Sequence, residues 1–198
     1  VRRLVLASAN VGKLRELGAL LAPFQYEVLS QAALGIDAVV ESGATFLENA
    51  LIKARHAAGA ARLPALADDS GIEVDALGGR PGVHSARYAG ERASDRANLE
   101  KLLGELRGVP PERRTARYRC VIVLVRSAAD PDPLTAQGSW EGRIFEVPRG
   151  GGGFGYDPIF QPAGSELTAA ELEPEQKNQV SHRAQALLSL MQRLPKWQ

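Results

Sequence analysis

The chain is nearly free of sulfur. It has one cysteine, Cys120, and one methionine in 198 residues. No intrachain disulfide can form, which fits a reducing compartment. Charge imbalance is lacking too: the formal net charge is +1, which argues against a broad nucleic-acid or membrane footprint. The longest apolar runs fall far short of a membrane span. Val1-Arg2-Arg3 ahead of Leu4–Ala7 has a faint likeness to a signal peptide, but its apolar core is too short and Asn10-Val11-Gly12-Lys13 interrupts it. There is no internal repeat, and the only low-complexity tract is Gly150–Gly153. These absences lead to the expectation of a cytoplasmic protein with neither a nucleic-acid nor a membrane partner. What is present is ordinary for a globular chain: 44% apolar and 24% charged residues, at a length that suits one domain or one domain with a small lobe.

Leu66-Ala67-Asp68-Asp69-Ser70-Gly71-Ile72-Glu73-Val74 is the stretch around which the rest is organised. An apolar run meets two adjacent carboxylates. Ser70-Gly71 then reads as a turn, and Ile72–Val74 as a second strand. Adjacent carboxylates at a strand end repel unless a cation sits between them. A divalent metal with few protein ligands, such as Mg2+, meets that need; a solvated Asp-Asp turn is the other reading.

Leu4–Ala7 reads as a buried strand, and Ser8-Ala9-Asn10-Val11-Gly12-Lys13 as a polar loop opening a helix. Leu14, Leu17, Leu20 and Leu21 give that helix an apolar face, and Pro23 ends it. Strand, polar loop and helix is an arrangement that binds phosphate through backbone N–H groups and the positive helix end. Lys13 opposes the helix dipole, so it is either a surface lysine or the partner of a bound anion. A P-loop is excluded, because Leu14 follows Lys13 and no glycine stands five residues before Gly12. Tyr26–Ser30 is a second strand. Thr45-Phe46-Leu47-Glu48 is a capping box that starts a helix near Phe46, running to about Arg62. Phe46, Ala50, Ala54 and Ala57 form its apolar stripe, with Asn49 and Lys53 beside it on one face. Lys53 either snorkels or points into a cleft. Glu41 lies in the loop before this helix.

Gly78–Tyr88 reads as a long irregular loop, a lid or partner-facing segment. Ser94–Arg107 reads as a helix with Leu99, Leu102, Leu103 and Leu106 inward, Tyr118–Arg126 as a strand, and Leu134–Val147 as a strand with turns or bulges at Gly138 and Gly142. Gly150–Asp157 contains G-x-G-x-x-G, but Pro158 follows and no helix opens, which excludes a dinucleotide fold. Its glycines instead let backbone approach a flat ligand, with Phe154 or Tyr156 as a stacking surface. Thr168-Ala169-Ala170-Glu171 has the form of a second capping box. After Lys177, Ser181 is suited to cap a last helix that buries Ala184, Leu187, Leu188, Met191 and Leu194. His182 and Arg183 place two donors in its first turn, either to recognise an acceptor or as a tolerated surface pair.

Five segments in this order, Ser8-Ala9-Asn10-x-x-Lys13, Glu41 with the Thr45–Lys53 helix, Leu66–Gly71, Gly152–Pro158 and Ser181–Ala184, closely resemble the inosine triphosphate pyrophosphatase family. The resemblance spans nearly the whole chain and implies a single domain over residues 1–198. It implies an α/β fold with a long, twisted central mixed sheet flanked by helices, and two lobes with a cleft between them. It also implies a homodimer, Mg2+, and hydrolysis of non-standard purine nucleoside triphosphates such as ITP, dITP and XTP. On the same ground Glu41 and Asp69 bind metal and Asp69 is the general base. Substrate contacts fall to Ser8, Ala9, Asn10, Val11, Gly12, Lys13, Lys53, Ser70, Phe154, Gly155, Tyr156, Asp157, Lys177, His182 and Arg183, with Asp68 a plausible helper. One departure is visible: Ser8-Ala9-Asn10 stands where the family has Thr-Gly-Asn, and Ala9 matters only if φ is positive there.

The residues suit that chemistry. Attack between the α and β phosphates needs an in-line water, charge neutralisation and a positioned base. Lys13 and Lys53 can stabilise the leaving pyrophosphate. Two other readings are a Mg-dependent phosphohydrolase of other nucleotides and a nucleotide-binding module without catalysis.

Overall fold

Five helices and six strands make up the chain, which the computed structural model describes over residues 2–197. The strands are β1 (Arg2–Leu6), β2 (Tyr26–Ser30), β3 (Ala65–Val74), β4 (Thr115–Val125), β5 (Leu134–Ile144) and β6 (Phe160–Pro162). The helices are α1 (Val11–Leu21), α2 (Phe46–Ala61), α3 (Asp95–Glu105), α4 (Pro174–Val180) and α5 (His182–Trp197). The strands form one mixed sheet in the order β2-β1-β3-β4-β5-β6. β1 runs parallel to both β2 and β3, and β6 is antiparallel to β5. The α/β expectation holds.

The chain divides into two compact units. The first contains Val1–Asp69, Cys120–Gly138 and Arg183–Gln198; the second contains Ser70–Arg119 and Ser139–His182. In the first, Leu4–Leu6, Ala65–Ala67 and Cys120–Val125 are buried on both faces, so these runs are continuously apolar, whereas the edge strand β2 is only partly buried. Leu4, Leu6, Leu66, Cys120, Ile122 and Leu124 pack with Leu17 and Leu21 of α1 and Leu187, Leu190 and Met191 of α5. Val5, Ala7, Ala65, Ala67, Val121, Val123 and Val125 pack with Ala50, Ala54, Ala57 and Ala58 of α2. The small alanines of α2 let its backbone lie close to the sheet. In the second unit one face is buried: Ile72, Val74, Ala116, Tyr118, Trp140 and Ile144 pack with Leu99, Leu102 and Leu106 of α3. Intervening residues carry ion pairs, Arg117 joining Asp75 at 2.9 Å and Glu141 at 3.0 Å. β4 shows both regimes in one run: Thr115–Arg119 alternates, and Cys120–Val125 is buried throughout.

Five local expectations are corrected. Ser70-Gly71 makes no turn; β3 is unbroken from Ala65 to Val74. Gly71 does not take the positive φ a tight turn would ask of it, and the Ile72 N–H is satisfied by Ser85 Oγ at 2.9 Å. Gly78–Tyr88 is not wholly irregular: Gly82–Arg87 is a 3-10 helix, and Pro81 bridges to Glu73. Thr168–Glu171 closes a turn rather than a helix, with Thr168 N–H donating to the Glu171 carboxylate at 2.8 Å. The box that opens a helix is Glu173–Gln176, where Pro174 sets the first helical φ. Leu188 is exposed; α5 buries Ala186 and Leu190 instead. Gly142 lies within β5, not at a turn or bulge: a Cβ there would fall 2.2 Å from Gln161 O, so the close approach of β6 requires glycine.

Candidate active site

The polar loop after β1 organises itself. Asn10 N–H donates to Ser8 Oγ at 3.2 Å, and Asn10 Oδ1 caps α1 by accepting from Lys13 N–H at 3.0 Å. The N–H groups of Val11 and Gly12 head the helix, where no intrahelical acceptor exists. Ala9 is not among the residues with positive φ, so alanine fits the loop in place of glycine.

In β3 the two carboxylates face opposite ways, as strand alternation dictates. Asp68 shares its face with Leu66, towards α1 and α5. Lys13 Nζ lies 3.0 Å from Asp68 Oδ2, and Arg183 donates to the same oxygen from Nε at 3.3 Å and Nη2 at 3.2 Å. Arg183 Nη1 also bonds Glu16, one turn along α1 from Lys13. Burial alone would raise the Asp68 pKa, but Lys13, Arg183 and Lys53 outweigh it and hold the group well below the usual carboxylate range. Asp69 faces α2. Lys53 Nζ sits 2.9 Å from Asp69 Oδ1 and 3.0 Å from Glu41 Oε1. Asn49 Nδ2 donates to Asp69 Oδ2 at 3.3 Å, while its Oδ1 accepts from Gly43 N–H at 2.8 Å. Burial pushes the Asp69 pKa up, beyond what Lys53 and Lys13 pull down. Adjacent carboxylates whose environments push them apart are a sign of divided labour, one a fixed anion and one a base. Each carboxylate is buried against an ammonium or guanidinium on its own face, so the pair is not a solvated Asp-Asp turn.

The expected metal is compatible with these donors. Glu41 and Asp69 converge on a single ammonium, and Asp68 keeps a buried Oδ1 with no hydrogen-bond partner. Among the described residues no three His, Cys, Asp or Glu side chains gather into a group able to hold a metal. Two carboxylates nevertheless suit Mg2+, which keeps waters and takes substrate phosphate oxygens for the rest of its octahedron.

The remaining expected residues cluster in the second unit, apart from Arg183. Asp157, 2% exposed, is a hub. Its Oδ2 accepts from Phe154 N–H at 2.9 Å and from Lys177 Nζ at 2.6 Å, and its Oδ1 accepts from Tyr118 Oη at 3.1 Å. Gly155 N–H donates to Asp95 at 2.7 Å. A Cβ on Gly153 would meet Asp157 Oδ2 at 2.1 Å and φ is +70°, so only glycine serves there. Tyr156 is not a stacking surface: it is buried, and its hydroxyl donates to Ser85 O at 2.8 Å. Phe154 is half-buried, with Lys177 Nζ 5.0 Å from its ring centre. His182 stacks on Tyr118 at 4.7 Å and 7°, and lies 6.4 Å from Trp140. His182 and Arg183 therefore do not act as a pair of like donors; one belongs to an aromatic cluster and the other to carboxylates. Ser70 lies in β3 beside Asp69. Glu16, Tyr118 and Trp140 stand outside the residues singled out in the sequence, and Asn49 was placed beside Lys53 without a role. Glu16 had a signal, its i+3 spacing from Lys13; Tyr118 had only its inward register in β4.

Sequence comparison agrees with this α/β sheet, capped loop and set of lysines and carboxylates: this chain belongs to the Ham1 family, whose model matches residues 4–193. Its relatives include the dITP/XTP pyrophosphatase of Methylococcus capsulatus, 60% identical over 98% of this chain and 96% of that one. The dITP/XTP pyrophosphatase of Escherichia coli is 53% identical over 98% of each. A HAM1 protein from Coxiella burnetii superposes with a TM-score of 0.89 at 46% identity, covering 99% of this chain and 100% of that one.

Proposed function

We propose that this protein hydrolyses non-standard purine nucleoside triphosphates, ITP, dITP and XTP, to the monophosphate and pyrophosphate, and so clears them from the nucleotide pool. The protein is a hydrolase of acid anhydrides. The observation that carries the substrate and products is the division between Asp68 and Asp69, set among Lys13, Lys53 and Glu41, in a chain at least 53% identical to enzymes named for dITP and XTP.

The Ser8–Lys13 loop receives the phosphates, with Lys13 held at its start by Asp68. Asp69 takes the proton of the water that attacks the α phosphorus. Lys53 and Lys13 balance the charge that builds on the departing pyrophosphate. Glu41 and Asp69 would hold Mg2+, which would supply charge neutralisation and ease deprotonation of the attacking water. Ser70, Phe154, Gly155, Lys177 and His182 serve the nucleoside, with Phe154 as the stacking face. Asp157 and Tyr156 shape that loop from behind, and Arg183 holds Asp68. The protein acts as a cytoplasmic homodimer on free nucleotides, in keeping with its near-neutral charge; among the described residues no helix is long and apolar enough to cross a membrane. Sedimentation at working concentration tests the dimer.

The deciding experiment is a panel of nucleoside triphosphates with Mg2+ and separate detection of pyrophosphate and orthophosphate. ITP, dITP and XTP should turn over well ahead of ATP and GTP, with one pyrophosphate per monophosphate. Release of orthophosphate, or equal rates on ATP, would overturn the reading.

A further inference from the structure

Tyr118 belongs to none of the expected motifs, yet it touches both parts of the second unit assigned to the nucleoside. It lies on β4 at an inward position and is 7% exposed. Its ring is parallel to the His182 imidazole, 4.7 Å between centres and 7° between planes. Phe160 meets the Tyr118 ring edge-on at 4.7 Å and 64°, which fixes it in turn. Its hydroxyl donates to Asp157 Oδ1 at 3.1 Å. The other oxygen of Asp157 holds Phe154 N–H and the Lys177 ammonium. One side chain thus sets the plane of the imidazole and anchors the loop that carries Phe154.

We propose that Tyr118 is a positioning residue for base selection, holding His182 in plane through its ring and the Phe154 loop in place through its hydroxyl. This rests on the reading of His182 and Phe154 as nucleoside contacts. The physical reason is directional. An imidazole offers its hydrogen bonds in the plane of its ring. A stack that fixes the plane fixes where a 6-oxo acceptor is met and where a 6-amino donor is refused. A ring free to turn about its χ2 torsion discriminates less, because that torsion is soft. The loop depends on the hydroxyl in a different way. Tyr118 is one of three donors that fix the Asp157 carboxylate, and Gly153 and Phe154 are folded against that carboxylate.

The two contacts separate by mutation. Tyr118→Phe keeps the ring and loses the hydroxyl; Tyr118→Leu loses both. Steady-state constants for ITP and ATP, with a melting curve for each protein, are the readout. In Tyr118→Phe the KM for ITP should rise about threefold or more with kcat retained, as loss of one hydrogen bond implies, and the ITP-over-ATP ratio should stay within about twofold. In Tyr118→Leu that ratio should shrink by about fivefold or more, the scale of a lost ring contact. A merely structural tyrosine would lower melting temperature and slow both substrates alike; an unchanged ratio in folded Tyr118→Leu overturns the proposal. Should Tyr118→Leu fail to fold, Tyr118→Phe decides it: an unchanged KM for ITP overturns it, and a raised one supports it. Absence of any ITP preference in the unmutated protein would overturn the nucleoside assignment and this inference together. Preference there that survives Tyr118→Leu sinks this inference alone.

Discussion

Asp68 and Asp69 are consecutive in β3 and point to opposite faces of the sheet, one to Lys13 and Arg183, the other to Lys53 and Asn49. A one-residue step along a strand turns a side chain through half a rotation. Two carboxylates can therefore be adjacent in sequence and differ in every direct contact.

Removing each charge should fail in a different way. Asp69→Asn loses the proton acceptor and should cut kcat by about 10²–10⁴-fold with the fold intact by circular dichroism. Asp68→Asn takes one of two carboxylates from Arg183, 1% exposed, and leaves Glu16. It should cost about 1–3 kcal/mol in denaturant unfolding, the scale of lost hydrogen bonds to a charged group. Stability loss in Asp69→Asn rather than Asp68→Asn would contradict the division.

The lysines are predicted to act on transition-state charge. Lys13→Ala and Lys53→Ala should each lower kcat/KM by about 10²-fold, as loss of one preorganised electrostatic partner does. Wild-type efficiency in either would return that lysine to the surface.

Base choice should run through His182. His182→Phe keeps a ring on Tyr118 but has no N–H, so the ITP-over-ATP ratio should fall by about tenfold, the value of one polar contact in a desolvated pocket. Measured kcat/KM for both nucleotides checks it; an unchanged ratio assigns selection elsewhere.

Cys120 gives a prediction of silence. Burial first, and Asp68 beside it, push its thiol up to about 12. With Sγ 3.9 Å from Asp68 Oδ2 and no exposure to speak of, it should resist alkylation at about pH 8 in the folded protein and react fully in denaturant, since only an accessible thiolate attacks. Rapid labelling of the folded protein would contradict the packing around Asp68.

What the sequence made legible was what obeys local rules. Thr45–Glu48 forms both halves of its capping box, and α2 starts at Phe46 as the pattern says. Tyr118–Arg126 was legible as a strand from its Val and Ile, but the strand begins at Thr115, where alternation gives way at Cys120 to burial on both faces. Ser70-Gly71 misled because turn propensity is weak against burial of apolar residues on both sides, Ala65–Ala67 and Ile72–Val74. Thr168–Glu171 misled because the pattern for a capping box also closes a lone turn. Arg183 misled for another reason: helix position says which backbone groups are near, but not that Glu16, 167 positions away in sequence, would take the guanidinium. Tyr118 carried no motif at all; its importance comes from β4 lying between β3 and β5, which only the folded sheet reveals.

The central claim is that water, activated at Asp69, attacks the α phosphorus. It is tested most directly by turnover of ITP with Mg2+ in heavy-oxygen water, followed by phosphorus NMR or mass spectrometry of both products. The account predicts one heavy oxygen in the monophosphate and none in the pyrophosphate. Label in pyrophosphate, or in orthophosphate released from the γ position, would contradict it.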